Sequence, residues 1–464
     1  MKIPKGTTVI SGSLLTLILL LVAAPASAQQ FDLSSEVDQG EFQAARFQVE
    51  YSGHIVVDLS RDKKLDASIL PIDVKGQFSF DQQLSGKPNS MQAVRYYTKA
   101  SANIKAGKGH KASHLEPENR YILGRIRTLE NQNQFQIASI GSVLQRSEYE
   151  LLRNPCDPVA LIGLLDQQGV SIGDTWQVEK GALGRFLNID HVISADVDFK
   201  LKNVNGSKGL IHIAGHVKGE IDDVVTELDV TGSLQLDVEL NRITAVRINI
   251  NQETDPGQVA PGFEGQIKLD MRIKTLTRST HLTRDKLAAV MTGTKIKQSF
   301  LLKPKGAPFS VVHSPNWRVI ASEEEAAVLR YIHNGNLLAQ CNIVQLPSRP
   351  ADKPLPLKAF EAEVKKMIQS SESLTIKSSS TAETANGYPA LRVVVEGFES
   401  GVPIRWLYYH ISNQDGLALT CVFTLEKQIA EQFGKADQTF VNRVQLLTLA
   451  APRQTEKNED ETIR

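Results

Sequence analysis

Cysteine is scarce in this chain, with three among 464 residues: Cys156, Cys341 and Cys421. They allow at most one internal pair, and none sits in a C-x-x-C spacing, which argues against dithiol redox chemistry and a structural zinc site. Net charge is also missing, because 52 Lys and Arg balance 52 Asp and Glu. Such a surface implies neither a nucleic-acid partner nor strong attraction to anionic lipid. Aromatic residues are only 6% of the chain. There is no G-x-S-x-G, no H-E-x-x-H, no Walker A loop and no G-x-G-x-x-G after a strand, which lowers the prior for the enzymes that use them. Beyond residue 24 no apolar run approaches the about 20 residues of a membrane-spanning helix.

What is present begins with an export signal. Lys2 and Lys5 form a basic start, Leu14 to Ala24 an apolar core, and Pro25-Ala26-Ser27-Ala28 an A-x-A cleavage site. The competing reading is an uncleaved anchor, but the core is short for a span. No cysteine follows the core closely, which argues against a lipid-anchored lipoprotein. Cleavage after residue 28 leaves 436 residues, with 50 basic against 52 acidic groups and a net charge of −2. The expectation is an exported protein, periplasmic or extracellular, soluble or peripheral, with no transmembrane helix after cleavage.

From about residue 42 the hydrophobic period is 2. Phe47, Val49, Tyr51, Gly53, Ile55 and Val57 share one face, opposite Arg46, Gln48, Glu50, Ser52 and His54. The alternation returns at Ile72–Phe80, Val94–Ile104, Ile193–Leu201, Ile211–Val217, Leu228–Leu240, Val246–Ile250 and Ile267–Ile273. This is the pattern of sheets with one wet and one dry face. The segments run to about ten residues, against a usual length of about 5–6. Short connections imply antiparallel neighbours. Two helices are expected among the strands, one with Asp157 as N-cap and Pro158 first (DPVALIGLLDQQG), the other around Leu282–Met291. Something must cover the dry face: these helices, the sheet curling on itself, a ligand or a partner.

Lys303-Pro304-Lys305-Gly306-Ala307-Pro308 reads as a linker. The expected organisation is a signal peptide at 1–28, an antiparallel β-rich domain at 29–300, a linker at 301–308, an α/β domain at 309–449 and a charged, disordered tail at 450–464. In the α/β domain an amphipathic helix is expected over Leu355–Ser371, with Leu357, Phe360, Val364, Met367 and Ile368 on its apolar side. Strands follow at about 389–399, 402–412 and 417–426, with a last helix from about Lys435 to Leu447.

The segment 309–448 resembles the PsbP-like family of α/β sandwiches through FSVVHSPNWRV, LLAQCNIVQL, NGYPALRVVVEGFESGVPIRWLYYHI, GLALTCVFTL and a closing VNRVQLL. That resemblance implies a largely non-enzymatic role in extracytoplasmic binding and assembly, with no shared catalytic set to carry over. The sheet of 42–280 is similar in texture to lipoprotein-carrier half-barrels of the LolA type, which implies a curved apolar face offered to a lipid. The fold class expected is α+β: a large N-terminal antiparallel sheet, half-barrel or curled with a few helices, followed by a smaller PsbP-like sandwich.

The candidate residues are few. Cys341 and Cys421 lie in strand patterns of one domain and could be bonded in an oxidising compartment, or be two buried thiols. Lys105, Lys108, His110, Lys111 and His114 make a basic stretch that is either a solvated hairpin or a contact for a phosphate or lipid headgroup. His212 and His216 would be about 13 Å apart on a strand, too far to share one metal. Asp196, Asp198, Asp222, Asp223, Asp237 and Glu239 are explained by the wet face and a turn. Trp176, Trp317 and Trp406 fit core or strand-edge packing, although Trp406 and Tyr408 could line a pocket. No catalytic residue, metal or cofactor is assigned. The expected function is non-catalytic binding of an apolar, lipid-like ligand or of an envelope protein. The alternatives are an outer-membrane barrel or scaffold and a hydrolase with an unrecognised site.

Overall fold

The computed structural model describes residues 29–34, 37–57, 68–87, 90–129, 132–257, 261–291, 299–350, 354–368 and 374–447. The expected signal peptide at 1–28 and the expected tail at 450–464 lie outside the described residues. In chain order the first part carries β1 (Gln30–Ser34), β2 (Phe42–Val57), β3 (Ser68–Ser85), β4 (Gln92–Ala106), β5 (Gly109–His114), β6 (Tyr121–Leu129), β7 (Gln132–Ser139), α1 (Arg146–Leu152), β8 (Asp166–Ser171), β9 (Thr175–Trp176), α2 (Lys180–Leu187), β10 (His191–Asn205), β11 (Lys208–Ile221), β12 (Val224–Asp237), β13 (Arg242–Thr254), β14 (Gly262–Leu276) and α3 (Arg284–Met291). The second part carries β15 (Phe300–Leu302), β16 (Phe309–His313), β17 (Trp317–Ser322), β18 (Ala326–His333), β19 (Asn336–Leu346), α4 (Leu357–Ile368), β20 (Thr375–Glu383), β21 (Pro389–Glu399), β22 (Val402–Ser412), β23 (Ala418–Glu426), α5 (Ala430–Phe433), α6 (Ala436–Val441) and β24 (Val444–Leu446).

The fold is α+β. Twelve strands form one antiparallel sheet in the order β7-β6-β4-β3-β2-β14-β13-β12-β11-β10-β9, with β5 attached to β4. The sheet curls without closing into a barrel: β7 and β9 do not pair, and α2 packs on both β7 and β10, filling the gap. Gly184 lets that helix sit close, because a Cβ there would stand 3.1 Å from Val192 Cγ2. Curling is helped by bulges in the β3–β4, β10–β11 and β12–β13 pairings. It is also helped at Gly76, whose missing side chain leaves room for the Phe78 ring.

The dry face is packed by the chain itself. Phe47, Phe199, Leu234 and Leu236 share one core with Tyr149, Leu152, Cys156, Leu161 and Phe186 from the segment between β7 and β10. Each such side chain contributes about 1.5–3 kcal/mol on burial. The lipid-facing surface implied by the half-barrel likeness is therefore occupied. The helix expected from Asp157 does not form. Val159 N–H does donate to the Asp157 carboxylate at 2.9 Å, but Gly163, at φ +75°, breaks a run of turns and β8 starts at Asp166. A second correction concerns β4. Ser79 pairs with Lys99 and Phe80 with Tyr97, so Thr98 bulges and the alternation flips. Tyr97 and Arg95 turn inward, whereas Val94 and Tyr96 join a separate cluster around Leu282.

The second part is a seven-stranded antiparallel sheet, β17-β18-β19-β23-β22-β21-β20. Phe360, Val364 and Ile368 of α4 cover one face, while Phe433, Phe440 and Val441 of α5 and α6 cover the other. Met367, expected on the apolar side of α4, is 59% exposed. The last expected helix is shorter: α6 ends at Val441, and β24 then pairs with β16, Leu446 opposite Phe309. In 301–308, Leu302, Pro304 and Ala307 are buried. Phe300 belongs to the first core, against Tyr149 at 5.0 Å, and Leu302 to the second. Beside this strand Asp222, in the β11–β12 turn, accepts from Arg318 at 2.9 Å, from Arg146 at 3.4 Å and from Arg153 at 3.5 Å.

Candidate functional site

The structure scatters most of the residues that the sequence singles out. Lys105 and His110 are paired across the β4–β5 hairpin, Lys108 is in its turn and Lys111 stands opposite Ile104. All five basic side chains are exposed. His110 and His114 lie four residues apart on β5, about 13 Å along a strand, and His114 approaches Glu116 at 3.5 Å instead. His216 pairs with Asp229 at 3.0 Å. Asp237 caps its own turn by accepting from the amides of Glu239 and Leu240. Among the described residues no three His, Cys, Asp or Glu side chains are grouped to hold a metal. Cys341 and Cys421 are buried free thiols on the neighbouring strands β19 and β23, offset by two residues, with Cys341 opposite Phe423 and Ile343 opposite Cys421. Burial pushes the Cys341 thiol up. Trp317 is enclosed by aromatic rings, including Tyr331 at 4.9 Å and Phe440 at 5.0 Å. Trp406 and Tyr408 pack against the α4 cluster.

A concavity beside an unsatisfied buried histidine lies elsewhere, at one end of the seven-stranded sheet. Three connections meet there: the segment after β19, the β20–β21 turn and the β22–β23 turn. The last is a side-chain-closed turn in which Asn413 Oδ1 accepts from the amides of Asp415 at 3.0 Å and Leu417 at 2.9 Å. Gly416, at φ +81°, carries the turn so close to the chain that a Cβ would meet the Arg349 carbonyl oxygen at 1.9 Å. Arg349 N–H bonds to the Gly416 carbonyl at 3.0 Å and its guanidinium to Glu363 at 2.9 Å. The β20–β21 turn is tied down by Asn386, whose amide donates to the Val444 carbonyl at 2.6 Å.

These walls enclose about 650 Å³ lined by Leu355, Tyr388, Pro389, Leu446, Arg349 and His410 among others. His410 is 2% exposed, and neither ring nitrogen has a hydrogen-bond partner. Burial lowers its pKa, the Arg349 charge lowers it further and Glu363 opposes, so the imidazole is neutral. A neutral ring carries one donor and one acceptor. The size falls within the usual range of small-ligand sites, which combine apolar walls with a few polar groups. No carboxylate or hydroxyl orients His410, so this site assembles no nucleophile–base relay among the described residues. The sequence reading missed the site because its walls come from residues 349 to 446 and no local spacing announces them. The one local signal was a histidine inside an apolar strand, WLYYHI.

No family model matches the chain, and no curated protein does. A crystal structure from Bacteroides thetaiotaomicron is 14% identical over 32% of this chain, with a TM-score of 0.23, and this chain spans about half (48%) of that one. The cyanobacterial PsbP (CyanoP) from Synechocystis sp. PCC 6803 is 12% identical over 33% of this chain and 95% of its own, with a TM-score of 0.26. The Ran-binding protein Mog1p of Saccharomyces cerevisiae is 10% identical over 33% of this chain and 97% of its own, with a TM-score of 0.25. Among the described residues no helix is long and apolar enough to cross a membrane.

Proposed function

We propose that this protein is a non-catalytic binding protein exported to the cell envelope, and that its C-terminal sandwich takes a partly apolar ligand in the pocket beside His410. One observation carries the reading: a buried imidazole with two unpartnered nitrogens at a concavity of about 650 Å³. Buried polar groups are nearly always hydrogen-bonded, so an orphaned one next to a pocket is a place for a ligand's polar group. The walls are mixed, with Leu355, Pro389 and Leu446 beside Asn386, Ser412 and Asn413, which suits a ligand with both apolar and polar parts. The curled N-terminal sheet, with its dry face already filled, serves as a scaffold. The PsbP-like runs in the sequence agree with a binding or assembly role.

The test is purification of the mature protein from its native compartment, with co-purified lipids and small molecules identified by mass spectrometry. The wild type is expected to retain an apolar species bearing a polar group. His410→Leu, which keeps an apolar side chain but removes both ring nitrogens, is expected to lose about tenfold in affinity for it, the value of a hydrogen bond of about 1.5 kcal/mol. An empty wild type, or equal retention by both proteins, would sink the ligand reading and leave a scaffold for an envelope protein.

A further inference from the structure

A second cavity, of about 160 Å³, lies where α2, the β11–β12 turn and β17 meet. Four guanidinium groups line it (Arg146, Arg153, Arg185 and Arg318) against two carboxylates, Asp190 and Asp222. Both acids are already engaged. Asp222 is shared by three of the arginines, and Asp190 takes Arg153 at 2.6 Å and the Asp222 amide at 2.8 Å. Glu150 takes Arg146 at 2.7 Å, so three carboxylates serve Arg146, Arg153 and Arg318 and one guanidinium is left without an ion pair, with the charge of Glu179 acting on Arg185 only from beyond ion-pair distance. The surplus is at Arg185. It is 8% exposed, has no ion pair among the described residues, and its Nε has no hydrogen-bond partner. Arg318 Nε is also unpartnered. Near them, His313 is a buried neutral ring and adds no further positive charge.

A buried, unpaired arginine is expensive unless something satisfies it. The planar fork of a guanidinium matches a carboxylate or phosphate group in two parallel hydrogen bonds. We propose that this cavity binds a small oxyanion, a phosphate or carboxylate group, held by Arg185 and Arg318. Its volume limits the bound part to a few heavy atoms, so the group is either a free anion or the end of a larger molecule. Asp222 takes one amino group of Arg318 at 2.9 Å, Glu150 takes Arg146 and Asp190 takes Arg153, which leaves Arg185 and the unpartnered Arg318 Nε for the ligand.

The experiment is thermal unfolding of the full mature chain at constant ionic strength, with inorganic phosphate or acetate titrated against chloride. The transition is expected to rise with phosphate, acetate or both, and the responding anion identifies the group. In Arg185→Met that rise is lost, with affinity down about ten- to hundredfold, the range for a charge-assisted hydrogen bond. Without anion the variant is expected to melt at or above the wild type, since an uncompensated buried charge has been removed. Arg185→Lys, which keeps the charge and loses the fork, should fall between the two. Three results would overturn the proposal: no anion gives more than chloride, Arg185→Met keeps the full rise, or Arg185→Met melts lower or fails to fold without anion. The last would mark Arg185 as structural.

Discussion

Arg95 is 0% exposed, and its guanidinium donates to both carboxylate oxygens of Asp157, at 2.6 and 2.5 Å. Its Nε donates to Gln82 at 3.0 Å, and its plane lies 4.7 Å from the centre of the Phe80 ring. Gln82 in turn donates to Gln43, and Gln43 to Glu41, so the buried polar groups form one satisfied chain. Removing one end is therefore costly. Asp157→Ala is expected to destabilise the protein by about 3–5 kcal/mol, because it strands a buried cation. The double variant Arg95→Met, Asp157→Leu is expected to recover most of that loss, as apolar replacements of buried ion pairs often do. Urea denaturation of the two proteins checks this, and a double variant no more stable than the single would refute it. This pair was not legible in the sequence. Strict alternation puts Arg95 on the wet face beside the polar residues of β4. Only the bulge at Thr98 turns it inward, and no residue type in that stretch marks a bulge.

At the scale of elements the strands were legible and the plug was not. Period-2 runs such as Leu228–Leu236 have one apolar side, and a sheet is the structure that buries it. The segment from Tyr149 to Leu187 is apolar without a clean period, so a local helix signal at Asp157-Pro158 stood unopposed. Tertiary packing decided otherwise, with turns threaded into the curl and α2 set between its ends. The key contact is Phe186, fully buried with its ring centre 6.5 Å from that of Phe199 on β10. Phe186→Ala is expected to cost about 3–5 kcal/mol. Because α2 touches both β7 and β10, hydrogen exchange should quicken first at those two strands, with β2 and β14 protected until global unfolding. Uniform loss of protection across the sheet would show that α2 is no separate clasp. The ligand pocket escaped the sequence for a related reason: it is built by three connections that meet only after the second sheet has formed.

At the scale of the whole molecule, the two cores meet at β15 and at the Asp222 cluster, so the stability of this junction in acid is written in two groups. Burial lowers the His313 pKa to about 4, the Ser314 carbonyl partly opposes this, and the charges of Arg146 and Arg318 reinforce it. Burial would raise the Asp222 carboxyl, but Arg153, Arg318 and Arg146 outweigh it and hold it at about 2. Both folded-state values are depressed, so in each case the unfolded chain takes up its proton first as the pH falls. Stability is present above the ordinary value and is lost below it. For His313 the window runs from about 6.5 down to about 4 and is worth about 3 kcal/mol. For Asp222 it runs from about 3.8 down to about 2 and is worth about 2 kcal/mol. The urea midpoint of the protein is thus expected to fall in two limbs on acidification. His313→Gln should shrink the upper limb to the share contributed by His410, whose pKa burial also lowers, and leave the lower limb unchanged. Asp222→Asn should flatten the lower limb and weaken the protein at neutral pH, because three arginines lose their shared anion. If His313→Gln leaves the decline between pH 6.5 and 4 unchanged, the proton taken up there belongs to another group, and His313 is not the acid-sensitive member of the junction.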